Sequence, residues 1–83
     1  MAKKIAWTGP ARADIRGIDQ QTAKRILHGL ARFVETEEGA VKRLQGIEPP
    51  EFRLRLGVYR IRFHDHSDSI EILAVKHRSE AYR

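Results

Sequence analysis

The sequence predicts an α+β domain of element order β-α-α-β-β-β, an antiparallel sheet carrying a helical hairpin on one face. Three observations predict it. The stretch F-R-L-R-L-G-V-Y-R-I-R-F, Phe52 to Phe63, alternates apolar residues with arginine on both sides of a glycine, the pattern of a half-buried β-hairpin. Between Pro10 and Thr36 the apolar residues instead recur at three- and four-residue steps, with a break at Gly17, as two amphipathic helices require. A further run, I-E-I-L-A-V, follows the polar turn H-D-H-S-D-S and reads as a strand.

Eighty-three residues make one domain, residues 1–83, with room for a single modest core. A hydrophobic share of 41% against a charged share of 33% suits a soluble globular chain. No run approaches a membrane span, and M-A-K-K-I-A-W lacks the apolar centre of a signal peptide. Absence of cysteine excludes disulfides and thiolate metal sites and fits a reducing, cytoplasmic location. A net charge of +5 favours an anionic partner, nucleic acid or an acidic protein segment.

In chain order, K-K-I-A-W (Lys3 to Trp7) is a short strand with Ile5 and Trp7 on one face. Trp7 belongs to the core. Thr8-Gly9-Pro10 ends the strand and opens a short helix to Arg16, with Pro in the first turn and Gly17 as the stop. Asp19 caps a longer helix to about Thr36, whose stripe is Ala23, Ile26, Leu27, Leu30, Phe33 and Val34. Gly29, costing about 1 kcal/mol inside a helix, marks close packing. His28 lies on the solvated side. Residues 40–50 form a connector, with Val41, Leu44 and Ile47 as anchors, and Pro49-Pro50 delivers the chain extended.

A two-residue Gly57-Val58 loop of type II′ sets the hairpin register. Leu56 then faces Tyr59, Arg55 faces Arg60, Leu54 faces Ile61, Arg53 faces Arg62 and Phe52 faces Phe63. One face is apolar. The other gathers four guanidiniums within a patch of roughly 5 by 7 Å. Arginine stems can simply cover a sheet while their heads stay in water. Like charges directly opposed cost stability, however, and four converging forks suit a phosphate or carboxylate. We therefore read the patch as an anion site.

A four-residue loop, Asp65 to Asp68, pairs Phe63 with Ile70, Ile61 with Ile72 and Tyr59 with Ala74. It sets Glu71 opposite Arg62, leaving Arg53, Arg55 and Arg60 without an evident carboxylate. In that register His77 falls on the arginine face, with Arg78 and Tyr82 beyond the strand end. His77 serves either proton transfer or packing at the strand end, and Tyr82 either stacks on a base or pins the tail. His64 and His66, with Asp65 and Asp68, are turn residues; their spacing matches no strong metal motif, and no metal or other cofactor is expected.

K-R-L-Q-G, F-R-L-R-L-G-V-Y-R-I-R-F and I-L-A-V-K-H-R-S-E-A-Y-R together resemble the toxins of bacterial RelE/ParE-type toxin–antitoxin modules, across nearly the whole chain. The resemblance implies a small basic cytoplasmic toxin neutralised by a cognate antitoxin in a hetero-oligomer. In the RelE branch it also implies metal-free cleavage of ribosome-bound messenger RNA, the 2′-hydroxyl attacking the adjacent phosphate. It implies roles for Arg53 and Arg55 as the basic pair and Arg60 as the phosphate-binding arginine, with Tyr82 stacking on a nucleotide and Lys76 or Arg78 protonating the leaving group. Arg62 adds to the RNA-binding surface. Better-known members carry lysines at the positions of Arg53 and Arg55, have longer hairpin turns, or add a C-terminal helix. Arginine stabilises charge but is a poor general base; His77 is the best-placed candidate for the proton transfers. The alternatives are a ParE-like gyrase inhibitor without catalysis and an inactive RNA-binding relative.

Overall fold

A computed structural model describes residues 3–81. The chain forms β1 (Lys4–Trp7), α1 (Gly9–Arg16), α2 (Gln20–Thr36), β2 (Ala40–Arg43), β3 (Phe52–Leu56), β4 (Tyr59–Asp65), β5 (Ser69–His77) and the single turn α3 (Arg78–Ala81). The strands make one sheet in the order β1-β5-β4-β3-β2. The α+β class, the helical hairpin and the β3–β4 register all stand as read from the sequence.

Local chemistry explains the helix ends. Thr8 Oγ1 accepts from the Ala11 amide at 3.3 Å and Asp19 Oδ2 from the Thr22 amide at 3.0 Å, each satisfying an orphan donor at a helix start. Thr8 Oγ1 also donates to the Ile72 carbonyl at 2.7 Å, so one hydroxyl caps α1 and ties it to β5. Thr8→Ala is expected to cost about 1–2 kcal/mol from the cap and the lost bond together, read as a lower urea midpoint at unchanged slope.

Leu54, Ile61, Phe63, Ile70, Ile72 and Val75 from the sheet meet Ile26 and Leu30 of α2 and Ala11 of α1 in one buried cluster. Phe63 stacks on Phe52 at 5.6 Å between ring centres and meets the edge of Phe33 at 5.7 Å. Trp7 packs against the cluster, as expected of a core residue. A Cβ on Gly29 would lie 3.0 Å from both Leu56 methyls, so that glycine does mark where helix and hairpin touch. Gly57 takes φ +59° while Val58 stays negative, the combination that a type II′ turn demands.

Four details depart from the sequence reading. β1 runs parallel to β5, pairing Ile5 with Ile70 and Trp7 with Ile72, so the sheet is mixed rather than antiparallel. The helical hairpin crosses the apolar face from one sheet edge to the other, which permits that direction. Residues 40–43 form an edge strand on β3 where a connector was expected; Val41 is exposed there rather than anchored. A one-turn helix follows β5. The fourth departure is a β-bulge.

The β4–β5 ladder pairs Phe63 with Ile72 but Arg62 with Ala74, which leaves Leu73 as the extra residue. β4 also continues to Asp65, so the loop is His66–Asp68, closed by the His66 amide on the Ser69 carbonyl at 2.8 Å. One inserted residue exchanges the faces of everything beyond it. Val75 therefore faces Ile61, Lys76 faces Arg60 and His77 faces Tyr59. The expected pairs Phe63–Ile70, Ile61–Ile72 and Tyr59–Ala74 do not form.

Candidate nucleic-acid interface

The helix-free face of the sheet carries the cationic residues in two rows set by register. Arg55, Arg60 and Lys76 are successive partners across β3, β4 and β5, with Ala40 beside Arg55 on β2. Lys42, Arg53, Arg62 and Ala74 make the next row. Arg53, Arg55 and Arg60 thus share one side of the sheet, and with Ala40, Val41 and Lys42 they line a cleft of about 250 Å³.

Their environments differ. Arg55 is exposed and makes no hydrogen bond or ion pair with any described residue. Arg60 Nη1 donates to the carbonyls of Gly57 and Tyr59, each at 3.1 Å, which fixes its head over the hairpin turn, and among the described residues no carboxylate pairs with it. Arg53 is half-buried between Lys42 and Arg62. Arg62 is compensated: its Nε and Nη2 both donate to Glu51 Oε2, at 3.0 and 2.9 Å. The carboxylate is Glu51 and not Glu71, because the longer β4 places Glu71 opposite His64 instead.

The C-terminal residues are brought together only in part. Lys76, not His77, emerges on the arginine face. Asp14 of α1 draws the Lys76 ammonium away, with Nζ to Oδ1 at 2.9 Å, while Asp14 Oδ2 accepts from the Val75 amide at 3.0 Å. β1 has ended by that point, so Asp14 covers the bare edge of β5. This hydrogen bond and the carboxylate charge raise the Lys76 pKa above its usual value. His77 lies on the opposite face from the arginines, 5.5 Å edge-to-face from Tyr59, and its Nδ1 accepts from the Ser79 amide at 3.2 Å. It lines a groove of about 530 Å³ with Thr22, Arg25, Ile26, Leu56 and Tyr59. Arg78 begins α3, its amide on the Val58 carbonyl at 2.7 Å. Tyr82 lies outside the described residues.

Asp14→Asn keeps an acceptor for the Val75 amide but removes the partner charge of Lys76. A raised folded-state pKa contributes stability in full below the unfolded value and loses it as pH rises through the folded one. The variant is therefore expected to be less stable at neutral pH by up to about 1 kcal/mol, as for exposed pairs. The difference should vanish once pH passes the titration of the ammonium, as measured by urea unfolding at both pH values.

Lys42 was not singled out in the sequence. It sits in A-V-K-R, too short a run to declare itself a strand, and joins the cleft only because β2 pairs with β3. No helix among the described residues is long and apolar enough to cross a membrane.

The arrangement is a cationic cleft on a rigid sheet, suited to an anion with several oxygens. Comparison with known proteins agrees on the scaffold. The archaeal RelE–RelB complex from Pyrococcus horikoshii is similar at TM-score 0.75, with 21% identity over 96% of this chain and 99% of that one. A RelB–RelE antitoxin–toxin complex from Methanococcus jannaschii gives 0.73, with 21% identity over 93% and 94%. The YoeB dimer from Staphylococcus aureus gives 0.72, with 16% identity over 93% and 98%. At such identities these show a shared fold. No curated protein matches the chain. A family model described as ParE toxin of type II toxin-antitoxin system, parDE, matches residues 5–82. With nearly its full length matched, the chain belongs to the ParE toxin family of type II toxin–antitoxin systems, within the RelE/ParE superfamily.

Proposed function

We propose that this toxin is an endoribonuclease that cuts messenger RNA on the ribosome, with the phosphodiester seated in the cleft of Lys42, Arg53, Arg55 and Arg60. The observation that carries the reading is the convergence of Arg53, Arg55 and Arg60, with Lys42, on one open face of the sheet. Attack of a 2′-hydroxyl on the adjacent phosphorus builds negative charge on the non-bridging oxygens. Guanidiniums already in place stabilise that charge without reorganising. Arg60, held by two backbone carbonyls, is the fixed donor of the set; Arg53 and Arg55 hold flanking phosphates. On this reading Tyr82 stacks on a base, and Arg78, which begins α3, reaches the RNA from the tail.

Proton transfer is where the chain supplies least. His77 faces the other way and Lys76 is drawn off by Asp14, so the described residues that line the cleft include no histidine and no carboxylic acid to carry a proton. The ribosome and the bound message therefore supply the alignment, and with it part of the acid–base work. A cognate antitoxin partner is supported by the similar toxins bound to theirs. Its acidic or helical segment covers the arginine face or displaces the tail.

The family match itself, and the want of a proton carrier in the cleft, favour a second reading: a gyrase inhibitor that uses the same face to bind and catalyses nothing. Purified toxin added to ribosomes programmed with a defined message, and in parallel to gyrase with relaxed plasmid, separates the two. Cleavage of the message with supercoiling intact is expected; inhibited supercoiling with an intact message replaces the first reading by the second.

A further inference from the structure

One cluster on the open face lies outside the arginine cleft. His64 and His66 are two residues apart, so they project from the same side as β4 ends. Glu71 stands directly opposite His64 on β5. His64 Nδ1 lies 3.3 Å from Glu71 Oε1, and His66 Nε2 lies 3.4 Å from the same oxygen. The three ligand atoms all fall within 4.8 Å of one another. The turn alone offers two imidazoles; the shorter loop is what brings a carboxylate to them.

We propose that His64, His66 and Glu71 form a binding site for one divalent transition metal of the zinc class. Zinc bonds to histidine nitrogen and carboxylate oxygen are about 2.0–2.2 Å, which makes the edge of a tetrahedral ligand set about 3.4 Å. Two of the three edges already have that length. Two imidazoles with one carboxylate select zinc, copper or nickel over magnesium or calcium, which prefer all-oxygen sets. The fourth position opens to solvent, since His66 is 52% and Glu71 39% exposed. Both the ligand count and the open position are those of a three-ligand site.

The surroundings orient His64 for this. Its other nitrogen, Nε2, points to Glu51 Oε1 at 3.9 Å, and Glu51 is nearly buried. A carboxylate on that side favours the proton on Nε2 and leaves the Nδ1 lone pair for a metal. Glu51 meanwhile binds Arg62 through Oε2, which links the site to the edge of the arginine face. Without metal, the Glu71 carboxylate stays within 3.4 Å of a nitrogen of each imidazole. A metal ion would sit between the same three atoms. The bound ion then staples β4 to β5 beside their connecting loop.

The test uses the untagged full chain and zinc chloride, by calorimetric titration and by thermal unfolding with and without excess zinc. One zinc per chain is expected, with an unfolding temperature that rises with zinc but not with magnesium. Outer partners of metal ligands are worth about 10–100-fold in affinity; loss of a ligand should cost at least as much. His66→Ala, at an exposed position, and Glu71→Gln should each weaken binding by more than about tenfold and abolish the thermal shift. His28→Ala, on the solvated side of α2, should leave both intact. Absence of one-to-one binding, equal stabilisation by magnesium, or undiminished binding in His66→Ala and Glu71→Gln would overturn the site. The readouts are independent of nuclease activity, so the site stands or falls apart from the RNA reading.

Discussion

An Arg60→Ala chain is expected to fold and to lose the growth arrest expected of the parent chain on induction. The side chain lies on the open face, and its two bonds to turn carbonyls leave a folding cost of about 1 kcal/mol when removed. On the nuclease reading its contribution to a developing phosphorane is larger, because a charged hydrogen bond in place before the reaction is worth about 1.5–3 kcal/mol. That corresponds to roughly a ten- to hundredfold loss of rate. Arg55→Ala provides the cleaner comparison, since Arg55 has no described partner to lose. Circular dichroism and a thermal melt check the fold of each variant, and induced growth curves check the toxicity. Full toxicity in both folded variants would remove the cleft from the mechanism.

Phe63→Ala is expected to have the largest effect on stability. Phe63 is 2% exposed and is gripped by Phe52 and Phe33. Truncating such a ring costs about 3–5 kcal/mol in transfer and cavity terms. Native domains hold only about 5–15 kcal/mol in all. For a chain of this size that means a fall of more than about 10 °C in unfolding temperature, measured by calorimetry. Toxicity should fall with it, because the arginines of β3 and β4 stand on the other side of the same strands. A small shift would mean that the two aromatic neighbours close over the gap.

Those two residues also show how much the sequence made legible. In Phe52 to Phe63 every second residue is apolar and the turn contains a glycine, so phase, turn type and register are all determined. The structure reproduces each pair. The helix starts were equally plain, because Thr8 and Asp19 cap by local chemistry that needs no knowledge of the rest of the fold.

The alternation stops being informative at Ile72. Leu73, Ala74 and Val75 are all apolar, so period two carries no phase there and a bulge cannot be seen. The unbulged register put His77 among the arginines, where the real one puts Lys76; Glu71 was set against Arg62 for a separate reason, the longer loop, and it is Glu51 that binds Arg62. Strand β2 escaped for another reason. Its four residues are all exposed, and what holds them is backbone pairing to an arginine strand, which leaves little mark on side-chain pattern. The parallel edge of β1 depends on where the helical crossover lands, a question of tertiary packing.

The most direct measurement is a genome-wide map of messenger RNA 5′-ends after brief induction of the wild-type and Arg60→Ala chains. New ends at fixed positions within translated codons, present for wild type and absent for the folded variant, are what a phosphodiester cleft on this face requires. Intact messages alongside induction of the DNA-damage response would contradict it and turn the same arginine surface into a gyrase-binding one.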